Sequence, residues 1–134
     1  MSVEKTAARD VVRVMNKHVL NPAMLHLAGR KYFYASTIHH EGRRSGTEYR
    51  TPVVAERVAD GFLVPLPYGE RVDWVRNLLA NGHGTLDHDG QTHSIAAPTI
   101  VRASTAVAEL PPRKRRTFER VGVKSYLHLN LDDE

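Results

Sequence analysis

Apolar residues return at two different periods along this chain, and the switches between them mark its elements. From about Lys5 to Val19, Ala8, Val12, Met15 and Val19 recur at helical spacing with charges between them, which predicts an amphipathic helix. Asn21-Pro22 breaks it. Asn21 is placed to cap a second short helix and Pro22 to open it; this helix carries Met24, Leu25 and Leu27 and stops at Gly29. Tyr32 to His40, rich in aromatic and β-branched residues, predicts a strand, and Tyr49 to Arg57 a second. Asp60-Gly61 is a tight-turn signal leading into a third strand, Phe62 to Leu66. Pro65 and Pro67 are expected to end regular pairing, leaving Pro67-Tyr68-Gly69 as a loop. Val72, Val75, Leu78 and Leu79 form the apolar stripe of a helix from Arg71 to Asn81, stopped by Gly82. Asp89-Gly90 turns a hairpin between Gly84–His88 and Gln91–Ala97, and Pro98 marks a bulge or an edge before a further strand, Thr99 to Ala108. Pro111-Pro112 opens a basic helix to about Val121, ended by Gly122, and Val123 to Leu131 is the last strand.

Short strands joined mostly by hairpins, with two helices between them, predict a mainly β fold: an antiparallel barrel with peripheral helices rather than a doubly wound sheet. A length of 134 residues suits one domain over 1–134, with a helical extension at about 5–29. There is no internal repeat, low-complexity tract or linker.

Charge narrows the partners. Nineteen Lys and Arg against 15 Asp and Glu is a mild excess, but it is concentrated in Arg43-Arg44 and in Arg113-Lys114-Arg115-Arg116. Such patches suit an anionic ligand as well as a polyanion. The second run reads first as a solvated helix face, then as help for an anionic ligand or a contact with anionic lipid. Nucleic acid is not expected, because no recognition fold or stacking motif accompanies the patch. The absence of cysteine excludes disulfides and thiolate metal sites. Met1 to Asp10 does not read as a signal peptide, and no stretch is long and apolar enough to span a membrane; a cytoplasmic protein is expected. Adjacent His39 and His40 point to opposite faces of a strand. His88 and His93 are able to share one, but no third ligand is evident. Surface histidines and no metal are therefore expected.

The most informative segment is Gly42-Arg43-Arg44-Ser45-Gly46-Thr47-Glu48-Tyr49-Arg50-Thr51-Pro52-Val53. Two glycines permit a turn that aims backbone N–H groups at an anion. The two arginines add forked donors and charge, and Ser45 and Thr47 add hydroxyls. An anion-binding loop and a merely solvated basic turn remain level on this evidence. It is not a P-loop, since the lysine and following helix are missing.

Gly42-Arg43-Arg44-Ser45-Gly46, then Thr51-Pro52-Val53, then a glycine-containing loop, then Asp73-Trp74-Val75-Arg76-Asn77-Leu78, resembles the deazaflavin-dependent nitroreductase family of actinobacteria. The likeness covers about residues 20 to 101. It implies a split β-barrel, usually a homodimer, that binds coenzyme F420 (an 8-hydroxy-5-deazaflavin) and uses its reduced form as hydride donor. The implied activity is reduction of an electron-poor organic molecule such as an enone, quinone or nitroaromatic. Carried over residue by residue, the likeness places the coenzyme's phosphate and oligoglutamate tail at Arg43, Arg44, Ser45 and Gly46, beside Tyr49. Thr51, Pro52 and Val53 would lie along the ring. Leu66, Pro67, Tyr68 and Gly69 would pass the other part of ring and tail, and Trp74, Asn77 and Leu78 belong to the helix closing the pocket. Two positions depart from the pattern: Tyr49 stands where relatives often have a basic residue, and Tyr68 where some have lysine. Arg50, Arg71 or Arg76 would have to make good the lost cations. Tyr68 is the candidate proton donor, with Tyr34 and Tyr126 behind it. Trp74 reads as core first and cofactor wall second. The alternatives are a non-catalytic binder of a fatty acid or other hydrophobic ligand, and a flavin or haem binder, on the same fold.

Overall fold

The computed structural model describes residues 28–31 and 35–132, and over them the period-2 segments become strands of one sheet. These are β1 (Ser36–Glu41), β2 (Glu48–Val53), β3 (Glu56–Val58), β4 (Gly61–Pro65), β5 (His83–His88), β6 (Gln91–Arg102) and β7 (Ser125–Leu131). They pair in the order β2-β1-β5-β6-β7-β4-β3, antiparallel throughout. The two edge strands, β2 and β3, are separated in the chain only by Val54 and Ala55, both buried. A sheet whose outermost strands are joined by two residues has to curl until its edges meet. The result is the expected split barrel, mainly β with peripheral helices.

Alternation along the strands sorts side chains to two faces. The inner face gathers Ile38, Val53, Phe62, Val64, Leu66, Leu86, Ile95, Leu127 and Leu129. Helix α1 (Asp73–Asn81) adds Val75 and Leu78 to this cluster and lies against β1, β5 and β6. The outer face of β4 and β7, with Leu63 and Tyr126, is covered by α2 (Ala103–Ala106), a 3-10 turn (Val107–Glu109) and α3 (Pro112–Arg120). Ala106, Leu110, Phe118 and Val123 make that contact. β4 is therefore buried on both faces, which explains its unbroken apolar run.

The hairpin at Asp89-Gly90 forms as expected: His88 pairs directly with Gln91, and both turn residues take positive φ, 50° and 81°. Four expectations need correction. The strand expected over Tyr49–Arg57 stops at Val53 and resumes at Glu56, because the edge of the barrel turns there. The strands expected at Gln91–Ala97 and Thr99–Ala108 are one, β6, interrupted by a bulge. Register passes from Ala96 opposite Asn130 to Thr99 opposite His128, with Ala97 at φ 49° and Pro98, which has no N–H to donate, in the extra residue. Its expected end, from Ala103 on, is helical instead. Pro65 stays in the ladder opposite Tyr126, and the pairing runs one residue further, to Leu66 N–H on the Ser125 carbonyl. Leu79 leaves the stripe of α1 for solvent, and Asn77 is buried in its place. The expected helices at about 5–19 and 21–29, and Tyr34, lie outside the described residues, apart from the turn at Ala28-Gly29.

Candidate functional site

The β1–β2 hairpin carries the basic loop over one end of α1. Inside the loop, Gly42 N–H donates to the Thr47 carbonyl at 2.8 Å and Gly46 N–H to the Gly42 carbonyl at 2.9 Å. Beyond that bond the chain leaves the turn through Gly46 at a φ of +71°, the left-handed region that favours glycine. Thr47 N–H donates to Ser45 Oγ at 3.1 Å, and Arg43 N–H to Asn77 Oδ1 at 3.1 Å. Four of the loop's N–H groups are thus spent on the protein. Of the successive N–H groups that the turn was expected to aim at an anion, those of Arg44 and Ser45 are left to do so, beside the guanidinium and hydroxyl groups.

Helix α1 holds the loop with a polar ridge. Asp73, Asn77 and Asn81 recur every four residues and so share a face. Asn81 Nδ2 donates to the Glu41 carbonyl at 2.9 Å. Asn77 Oδ1 also receives Arg43 Nη1 at 2.8 Å, and Asp73 Oδ1 receives Nη2 of the same arginine at 3.3 Å. Arg43 is thereby turned inward. From the other side of Asn77, Nδ2 lies 3.1 Å from His40 Nδ1, and His40 Nε2 lies 3.0 Å from Thr51 Oγ1. Tyr49, directly opposite His40 on β2, stacks on the imidazole with ring centroids 5.7 Å apart.

Together these groups wall a cleft of about 600 Å³ in which Arg43, Arg44 and Arg50 face one carboxylate, Asp73. Neither Arg44 nor Arg50 has an ion-pair partner among the described residues. Ser45, Tyr49, Thr51, Trp74 and Asn77 also line it. Beyond His40 a second cleft, of about 460 Å³, is bounded by Glu41, Glu48 and Asp132; its sign is wrong for an acidic ligand. His40 is buried, and that burial, with His39 beside it, pushes its pKa below the ordinary histidine value against an opposing pull from Asp73.

Residues 22–119 match the F420H(2)-dependent quinone reductase family. The chain belongs to that family. Its members are oxidoreductases that use coenzyme F420, and this chain is an F420-dependent oxidoreductase on a split-barrel fold. Among solved structures, a domain-swapped dimer is 12% identical with a TM-score of 0.50, each chain covered to 96%; at that identity the likeness shows the fold. An F420-H2 dependent reductase is 9% identical with a TM-score of 0.45, covering 72% of this chain and 94% of its own. No curated protein matches the chain.

Set against the resemblance, this F420-dependent reductase brings Arg43, Arg44, Ser45, Tyr49, Thr51, Trp74 and Asn77 to one cleft. Trp74 lines the cleft and also packs against the inner core. Val53, Leu66 and Leu78 belong to the inner core, and Pro52 is buried. Gly46 lies in the loop, while Pro67, Tyr68 and Gly69 follow β4, with Tyr68 half exposed. Of the cations named as compensation, Arg50 lines the cleft, whereas Arg71 and Arg76 do not. The basic run of α3 stands apart: Lys114 pairs with Glu56 at 3.2 Å, and Arg115 Nε donates to the Leu110 carbonyl. Tyr126 is corrected as a proton donor. It is 2% exposed against Phe118, and burial, with Glu119 and Glu56 nearby, pushes its pKa up to about 12. The histidines are not all on the surface. His40 is buried, and the rings of His88 and His93 both rest on Phe62, at 5.1 and 5.3 Å. Among the described residues no three His, Asp or Glu side chains are grouped to hold a metal ion. His40 was readable in principle: it shares the parity of Ile38, an inward position of the same strand.

Proposed function

We propose that the arginine-lined cleft holds the phosphate and carboxylate tail of coenzyme F420, and that the chain delivers hydride to an electron-poor organic substrate such as a quinone, enone or nitroaromatic. The observation that carries this reading is the set of three guanidinium groups against one carboxylate, two of them without an ion-pair partner among the described residues. Forked donors match phosphate and carboxylate oxygens, and a polyanion needs several. A fatty acid needs one cation and a long apolar tunnel, so the cleft favours the coenzyme. The coenzyme, when bound, supplies the hydride-donating ring carbon. The chain's own work is then placement: Arg43, fixed by Asn77 and Asp73, gives the tail a set register; Arg44 and Arg50 add charge; Trp74 offers an apolar wall beside β2, where Thr51 would face the ring.

Titrating the protein with coenzyme F420 and following its fluorescence tests the reading directly. Arg44→Ala is expected to weaken binding about fivefold to tenfold, with a larger loss at low salt, where screening is weak. Unchanged affinity in that variant would count against the placement of the tail. For proton delivery we retain Tyr68, a phenol on the loop after β4, acting on the substrate rather than from the cleft wall. Tyr68→Phe should lower turnover and leave coenzyme affinity nearly intact; full turnover would remove it from the mechanism. The reading includes a homodimer, supported by the domain-swapped dimer among the structural neighbours. It also includes a cytoplasmic location, with which a cysteine-free chain is consistent.

A further inference from the structure

The hydrogen bonds from Arg43 to Thr51 run in one direction only. Arginine has donors and no acceptor, so the Asn77 atom facing Arg43 N–H and Nη1 has to be the oxygen. The amide nitrogen then faces His40 Nδ1 at 3.1 Å and donates to it. His40 Nδ1 therefore carries no proton, and the neutral ring has its proton on Nε2. Nε2–H donates to Thr51 Oγ1 at 3.0 Å. With that lone pair engaged, the Thr51 hydroxyl hydrogen has to point elsewhere, and Thr51 lines the arginine cleft. No acceptor among the described residues receives it. Turning the Asn77 amide over does not reverse the chain, because Nδ2 would then meet the N–H of Arg43. Burial of His40, which favours its neutral form, agrees with the same polarity.

We propose that His40 is a positioning residue of the coenzyme site: by donating to Thr51 it makes that hydroxyl a fixed hydrogen-bond donor into the cleft, reserved for an acceptor oxygen or nitrogen of the bound molecule. This deepens the coenzyme reading above and rests on it for the identity of the ligand. The chain of donors also joins two ends of the site. Arg43 grips from the loop and Thr51 from the strand, and each is held in orientation through Asn77 and His40. A hydroxyl without a fixed direction offers either a donor or an acceptor. One that already accepts from Nε2–H has its hydrogen turned away from the ring, so donation to an acceptor in the cleft is the bond this arrangement favours.

The test combines a spectroscopic reading without ligand and a titration with it. In the ¹⁵N-labelled protein, the ring nitrogens of His40, assigned by their loss in His40→Gln, should show the Nε2–H tautomer. Thr51→Val should weaken coenzyme F420 binding about tenfold, the loss of one well-placed hydrogen bond. His40→Leu should weaken it by a similar factor. His40→Gln, whose amide presents an acceptor and a donor at comparable spacing, should stay within about threefold of wild type. In the His40→Leu, Thr51→Val double variant the losses should not add, because one acts through the other. A proton on Nδ1, a Thr51→Val protein that binds as tightly as wild type, or additive losses would overturn the proposal. The failures are distinguishable. An Nδ1–H tautomer with tight coenzyme binding defeats His40's role alone. An Nε2–H tautomer in a wild-type protein that binds no coenzyme defeats the coenzyme reading, and the ligand half of this proposal with it.

Discussion

Gly61→Ala is expected to destabilise the protein by about 3 kcal/mol, at the upper end of what a small overpacking change costs. Gly61 opens β4, opposite Val58 on one side and Asn130 on the other. A methyl group there would land on the Leu129 carbonyl and within 3.0 Å of Asn130 Cα. Both obstacles are backbone of a central strand, so neither yields without breaking the β4–β7 ladder. The glycine is present because another backbone approaches closely, not because of its φ. Urea unfolding of Gly61→Ala checks this, with Gly46→Ala as a contrast. Gly46 has open space around its missing Cβ but a φ of +71°, and its replacement should cost only about 1 kcal/mol. Equal, small losses at the two positions would refute the packing argument.

Asn77→Ala is the second large effect, and it falls on both stability and binding. Asn77 is 4% exposed and joins loop, β1 and α1 through one amide. Its removal leaves Arg43 N–H and His40 Nδ1 facing a void. Stranded groups of this kind cost about 1–3 kcal/mol each when buried, so a loss of about 3 kcal/mol is expected. Coenzyme affinity should fall at least about tenfold, because Arg43 loses its register while keeping its charge. Thermal unfolding and the fluorescence titration separate the two effects. If stability falls and affinity stays, the amide is a fold residue only. Asn77→Asp, which keeps an acceptor for Arg43, should lose less of the arginine's placement.

What could be read in advance was local. The Asp89-Gly90 hairpin, the span of α1 with Gly82 behind it, and the basic helix after Pro111 each follow from a few adjacent residues whose backbone preferences agree. The break between Val53 and Glu56 was not legible, because it depends on where the barrel runs out of partners. The same holds for the length of β6: Pro98 signalled an irregularity, but whether the chain continues beyond a bulge is decided by β7 on the other side. At the site, the glycines and arginines announced a turn with charge. They did not show where the N–H groups go, since Thr47 and Asn77 compete for them. His40 reads from sequence as a surface histidine, because its burial comes from Asn77 and Tyr49, which are distant or on another strand. On α1 the apolar stripe is the stronger sequence signal, whereas the polar one beside it, Asp73, Asn77 and Asn81, gains its meaning only from the loop that packs on it.

The two-residue bridge of Val54 and Ala55 has a mechanical consequence. It makes the line between β2 and β3 a seam, and Thr51 lies three residues from it on one side while Glu56, tied to Lys114, starts the other. Prising the seam apart would drag the cleft's strand away from its arginines and strain the outer helical layer in the same movement. Loss of grip on an acidic tail and loosening of the whole cylinder are thus one event, and whatever fills the cleft acts as a clasp on the barrel.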